Sequence, residues 1–153
     1  MIAHALGGHV ERSSKGLGAG VRQFEFLEMP TWYHMKTSSE TSTLQKPSIE
    51  NHRWYKHCSL LFSHQDQVIT LPETAICYAS DDFCPIQSFG MGHHIFTLQG
   101  HPEFTVEFAK MRLNTNREII DETVFHKAIA SLNEKTQHLE IGDMIVQFFQ
   151  SAR

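Results

Sequence analysis

The sequence predicts an α/β or α+β fold in which a mixed sheet is covered by helices. Three observations carry this: short apolar runs bounded by turn residues fill the middle of the chain, helix-period stripes are confined to the last third, and no segment repeats. Met1 to Leu6 reads as the last turns of a helix, with Ile2, Ala3 and Leu6 on one face and Gly7-Gly8 as its C-terminal cap. His9 to Arg12 is a short strand candidate, and Gly16-Leu17-Gly18-Ala19-Gly20 reads as a flexible corner. Val21 to Leu27 alternates, with Phe24 and Phe26 on one face, as a half-exposed strand does.

Met29 to Arg53 lacks periodicity, and its Ser/Thr-rich centre predicts a surface loop. Cys58 to Phe62 and Ala75 to Ala79 are strand candidates; polar Ser63-His64-Gln65-Asp66-Gln67 follows the first, and a turn at Ser80-Asp81-Asp82 follows the second. Ile86 to Phe89 and Ile95 to Leu98 predict a strand pair joined through Gly90-Met91-Gly92. Three apolar helix stripes complete the core: Phe104/Phe108/Met111, then Ile120/Val124/Ala128/Leu132 after a cap at Asn116, then Ile141/Ile145/Phe148/Phe149.

Bulk properties narrow the function classes. The 153 residues suit one domain; 41% hydrophobic and 20% charged residues are the balance of a soluble globular chain. A net charge of −4 without a Lys/Arg block offers nucleic acid no electrostatic footprint. No apolar run approaches the roughly 18 residues of a membrane span, and the N-terminus lacks the pattern of a signal peptide. Three irregularly spaced cysteines, Cys58, Cys77 and Cys84, suit reduced thiols, so a cytoplasmic location is expected. His93-His94 with His52, His57 or His64 lacks the paired close spacing of a zinc site, so no metal is expected. The glycines at 16, 18 and 20 lack the Lys-Ser/Thr pair and following helix of a phosphate loop.

The chemistry concentrates in Thr97-Leu98-Gln99-Gly100-His101-Pro102-Glu103-Phe104. An apolar run enters the segment, and Gly100 and Pro102 set a sharp corner that puts His101 and Glu103 at the mouth of a sheet. A His beside a carboxylate is two thirds of a nucleophile–base–orienter triad.

Gln99-Gly100-His101-Pro102-Glu103-Phe104 resembles the His/Glu motif of class I glutamine amidotransferases. Ile2-Ala3-His4-Ala5-Leu6-Gly7-Gly8 is similar to the helix end after that family's nucleophile, and Val10-Glu11-Arg12 with Lys15-Gly16-Leu17-Gly18 to the strand and corner that follow. Ser63-His64-Gln65-Asp66-Gln67-Val68 with Leu71-Pro72 resembles its substrate-side loop, and Ala79-Ser80 to Cys84-Pro85 continues in register. The likeness covers most of residues 1–111 and is greatest to stand-alone members similar to the amidotransferase domain of GMP synthase.

The resemblance implies the C-terminal part of a flavodoxin-like three-layer fold: residues 1–153 as a single partial domain, 29–53 its variable loop and 104–151 its C-terminal helices. It implies glutamine hydrolysis to glutamate and ammonia through a Cys–His–Glu triad, without metal or cofactor. In it, His101 is base and acid, Glu103 orients the ring, and Ser63, His64 and Gln65 face the amino-acid end of the substrate. The family's Gly-x-Cys-x-Gly-x-Gln elbow, first strands and oxyanion hole are expected upstream of Met1. None of the three cysteines present has the flanking glycines of such an elbow, so the chain is expected to be inactive alone. A γ-glutamyl peptidase of the same fold and a non-catalytic binding or regulatory remnant are the alternatives. A synthase subunit, or a second copy covering the unpaired edge of a half sheet, is the expected kind of protein partner.

Overall fold

The longest strand, nine residues, lies between two others and organises the molecule. In a computed structural model, which describes residues 2–34 and 53–151, β2 (Gly18–Phe26) pairs with β3 (Cys58–His64) on one side and β5 (Ile76–Ser80) on the other. β6 (Ser88–Met91) and β7 (Ile95–Leu98) extend the sheet, giving the order β3-β2-β5-β6-β7; every pairing among these strands is antiparallel. A separate two-stranded ribbon joins β1 (His9–Arg12) to β4 (Asp66–Thr70). The chain leaves the large sheet at His64 and enters the ribbon at Asp66, so Ser63 to Gln65 stand at the junction of the two sheets.

Helices cover both faces of the large sheet. Phe24, Phe26, Leu60 and Phe62 pack with Ile141 and Met144 of α4 (His138–Ser151) on one side. On the other, Val21 and Leu61 pack with Ala109 and Leu113 of α2 (Val106–Thr115) and Ala128 of α3 (Glu122–Ser131). Burial on two faces explains why Leu60, Leu61 and Phe62 are apolar in succession rather than alternating with polar residues. Ala3 of the short α1 (Ile2–Ala5) joins Val68, Ile86 and Phe89 in a third cluster under the ribbon.

Several expectations are corrected. In the predicted N-terminal helix face only Ala3 is buried; Ile2 and Leu6 are exposed. The flexible corner shrinks to Gly16, because Gly18 to Gly20 already belong to β2. The polar segment after Phe62 is strand end and strand start rather than a loop: Asp66 is exposed on the ribbon, whereas Gln67 is buried within it. The β6–β7 turn falls at Gly92 to His94, since Met91 still pairs with Ile95.

Asp121, not Asn116, caps α3, its carboxylate accepting from the Val124 amide at 3.1 Å. Asn116 instead ends α2, its side chain donating to the Arg112 carbonyl at 2.8 Å. The stripes of α2 and α4 are only partly core: Phe108, Met111 and Phe149 are exposed, while Ala109, Leu113 and Met144 are buried. Of the predicted 29–53 loop, residues 35–52 lie outside the described residues. Its start is not surface: Trp32 is buried, its ring 5.2 Å from both Phe96 and Phe148.

Candidate active site

The His101 corner is held from behind by β3. The His101 amide donates to the Leu61 carbonyl at 2.8 Å, a single bridging pair that docks the corner on the strand after β7 has ended. Gly100 is required by proximity: a Cβ there would lie 2.9 Å from both Leu60 Cδ1 and Phe62 Cζ. Both side chains are fully buried, so neither can retreat cheaply. Gly100→Ala is expected to cost about 1–3 kcal/mol of unfolding free energy, measurable as a lower urea midpoint.

At this corner His101 Nδ1 and Glu103 Oε1 are 2.8 Å apart, with side chains 32% and 65% exposed. An ionised carboxylate can only accept, so this contact places a proton on Nδ1 and turns Nε2 away from Glu103. The imidazole stacks on Phe104, centroids 4.0 Å apart and planes within 5°, and Phe104 meets Phe108 edge-on at 4.7 Å. Phe104 therefore braces the histidine while packing against the core, and Phe108 is exposed beside it.

His101 lines a cleft of about 900 Å³ together with Ser63, His64, Gln65, Arg12 and Gln99. The structure thus brings all three expected substrate-side residues and His101 to one cavity, with Glu103 beside the histidine. Ser63 Oγ accepts from Arg112 Nε at 3.4 Å, and the Gln65 carbonyl accepts from the Ser13 amide at 2.8 Å. His64 is wedged between Phe62 and Phe83, and its Nε2 is buried without a partner among the described residues. Its Nδ1 lies 3.2 Å from both the Asp66 carbonyl and Gln99 Nε2. His64 thus shapes the wall more than it offers polar atoms to the cavity. Gln99, the first residue of the motif but given no role by sequence reasoning, ties the two sheets together by donating to the Asp66 carbonyl at 3.0 Å.

Burial is the main cause holding the His64 imidazole below its ordinary value; the charges of Arg22 and His101 act the same way, and the Asp66 carbonyl opposes them. A folded state that resists a proton which the unfolded chain accepts near pH 6.5 loses stability as pH falls through that value. Unfolding midpoints are expected to drop between pH 7.5 and 5, with a shallower drop in His64→Gln.

All three thiols are held above their ordinary value. Burial pushes the Cys58 thiol far up, aided by Glu140, and pushes Cys84 up to about 11. Cys77 is also raised by burial. Cys77 and Cys84 donate to backbone carbonyls, those of Ala79 at 3.5 Å and Ile86 at 3.4 Å. Among the described residues no group of three metal-ligating side chains converges, and no helix is long and apolar enough to cross a membrane.

No protein-family model matches the chain. It is 27% identical to γ-glutamyl peptidase 3 of Arabidopsis thaliana over 153 residues, covering 100% of this chain and 51% of that protein. It is 25% identical over 134 residues to γ-glutamyl peptidase 5 of the same plant, covering 86% of this chain and 48% of that one. The chain therefore spans about half the length of these curated relatives. A glutamine amidotransferase from Thermotoga maritima superposes with a TM-score of 0.66 at 14% identity, over 99% of this chain and 57% of that one. Another from Methylobacillus flagellatus gives 0.62 at 14% identity, over 99% and 59%. The chain thus has the fold of the glutamine amidotransferases, and its sequence is similar to those of γ-glutamyl peptidases.

Proposed function

We propose that this chain supplies the base–orienter half of a Cys–His–Glu amidohydrolase that cleaves the γ-amide of a glutamyl group. The observation that carries the reading is the 2.8 Å contact of His101 Nδ1 with Glu103, in a histidine that borders a cleft of substrate size. His101 takes the proton of a cysteine thiol, and the thiolate adds to the γ-carbonyl. His101 then gives that proton to the leaving nitrogen, the C–N bond breaks, and a thioester remains. Water, deprotonated by His101, hydrolyses the thioester to glutamate and restores the thiol.

The raised thiols of Cys58, Cys77 and Cys84 support a nucleophile from outside these 153 residues, and with it an inactive isolated chain. Free glutamine, releasing ammonia, and γ-glutamyl peptides, releasing an amine, present the same bond. The sequence relatives favour the peptides. The test is glutamate release by the whole endogenous protein from glutamine and from a γ-glutamyl dipeptide. Release that prefers the dipeptide and disappears in His101→Ala is expected. Release undiminished in that variant overturns the reading, and no release from either substrate leaves a non-catalytic binding module.

A further inference from the structure

A second cleft, about 570 Å³, lies between the β1–β2 corner and helices α2 and α3, and it shares Arg12 and Ser63 to Gln65 with the cleft of the dyad. Its walls carry Arg12, Lys15 and Arg112 against one carboxylate, Asp121, in a chain whose net charge is −4. The Asp121 carboxylate is already occupied in capping α3. Among the described residues neither Arg12 nor Arg112 has a carboxylate partner within ion-pair distance, although Asp66 stands opposite Arg12 in the ribbon. Lys15 Nζ donates to the Asp82 carbonyl, which fixes the ammonium without neutralising it. Lys15 and Arg112 are held by neutral oxygens, and their charge is unspent.

Their position relative to the dyad follows from β3. Leu61 of that strand holds the His101 amide, and Ser63, two residues on and facing the same way, holds Arg112 Nε at 3.4 Å. Two strand residues span about 7 Å, so the guanidinium stands on the order of 10 Å from the His101 backbone. Two amino acids beyond a scissile γ-amide, each spanning up to about 3.6 Å, reach about 7 Å, most of that gap.

We propose that this basic cleft is the specificity subsite for the terminal carboxylate of a γ-glutamyl peptide's leaving portion. Arg112 and Arg12 bind the carboxylate, and Lys15 adds to the local positive field. This rests on the γ-glutamyl hydrolase reading and sharpens it: glutamine, which leaves as ammonia, places nothing in the cleft. A fork-shaped guanidinium already anchored through Nε has its terminal nitrogens left for a two-oxygen acceptor.

The experiment compares kcat/KM of the whole endogenous protein for γ-glutamyl-alanyl-glycine, for the same peptide with its terminal carboxylate amidated, and for glutamine. The free acid is expected to exceed the amidated peptide by about 10-fold, the scale of one charge-assisted contact at a partly solvated site. Arg112→Gln is expected to bring that ratio towards one, and Arg112→Lys to restore part of it. Equal rates for acid and amide in the wild type overturn the subsite while leaving the hydrolase reading intact. No glutamate from any of the three overturns the hydrolase reading and the subsite with it.

Discussion

His101→Ala in the whole protein is expected to lower kcat for glutamate release by about 10³-fold while changing KM little. General acid–base transfer contributes about 10²–10⁴-fold, and one imidazole serves both halves of the proposed reaction. A neutral thiol left without its base is also a weaker nucleophile. Glu103→Gln is expected to cost less, about 10²-fold, because a carboxylate that is 65% exposed shares its orienting role with solvent. Phe104 stacking further holds the ring in place when the carboxylate is lost. Steady-state kinetics on the two variants check both values; a Glu103→Gln defect as large as that of His101→Ala would mean that the carboxylate does more than orient.

Gly20→Ala is expected to be the most destabilising single-methyl substitution considered, at about 3 kcal/mol. The backbone there has φ +77°, where an alanine costs roughly 1–2 kcal/mol. An added Cβ would also lie 2.4 Å from Ser131 Oγ and 2.7 Å from Ala128 Cα, and overpacking of that kind adds about 1–3 kcal/mol. The same contact carries the bond from the Val21 amide to Ser131 Oγ at 2.9 Å, so separation of α3 from β2 would lose it too. Gly16→Ala is the control. Its φ of +83° gives similar strain, but nothing lies within 4 Å of the added methyl, so a loss of only about 1–2 kcal/mol is expected. Urea unfolding of both variants separates the packing contribution from the backbone one.

How far the sequence reveals this molecule depends on how far apart the cooperating residues lie. Strands β3 and β7 are legible because apolar runs end at turn-forming or polar residues, and the dyad is legible because its two members flank a single proline. β4 is not, since it opens on two polar residues, Asp66 exposed and Gln67 buried, which carry no apolar strand signal. The α2 stripe misleads because Phe104 braces His101 and Phe108 is exposed beside it. The basic cleft is hidden altogether. Arg12 and Lys15 meet Arg112 only because the chain switches sheets at Ser63 to Gln65, a long-range event with no local signature.

The central claim is that His101 and Glu103 serve a cysteine that is none of the three in this sequence. Its most direct test is peptide mapping of the whole endogenous protein after reaction with a glutamine analogue bearing an electrophilic carbon in place of the amide. The account predicts a single labelled cysteine outside these 153 residues, labelled far more slowly in His101→Ala. A label on Cys58, Cys77 or Cys84, or no label at all, would contradict it.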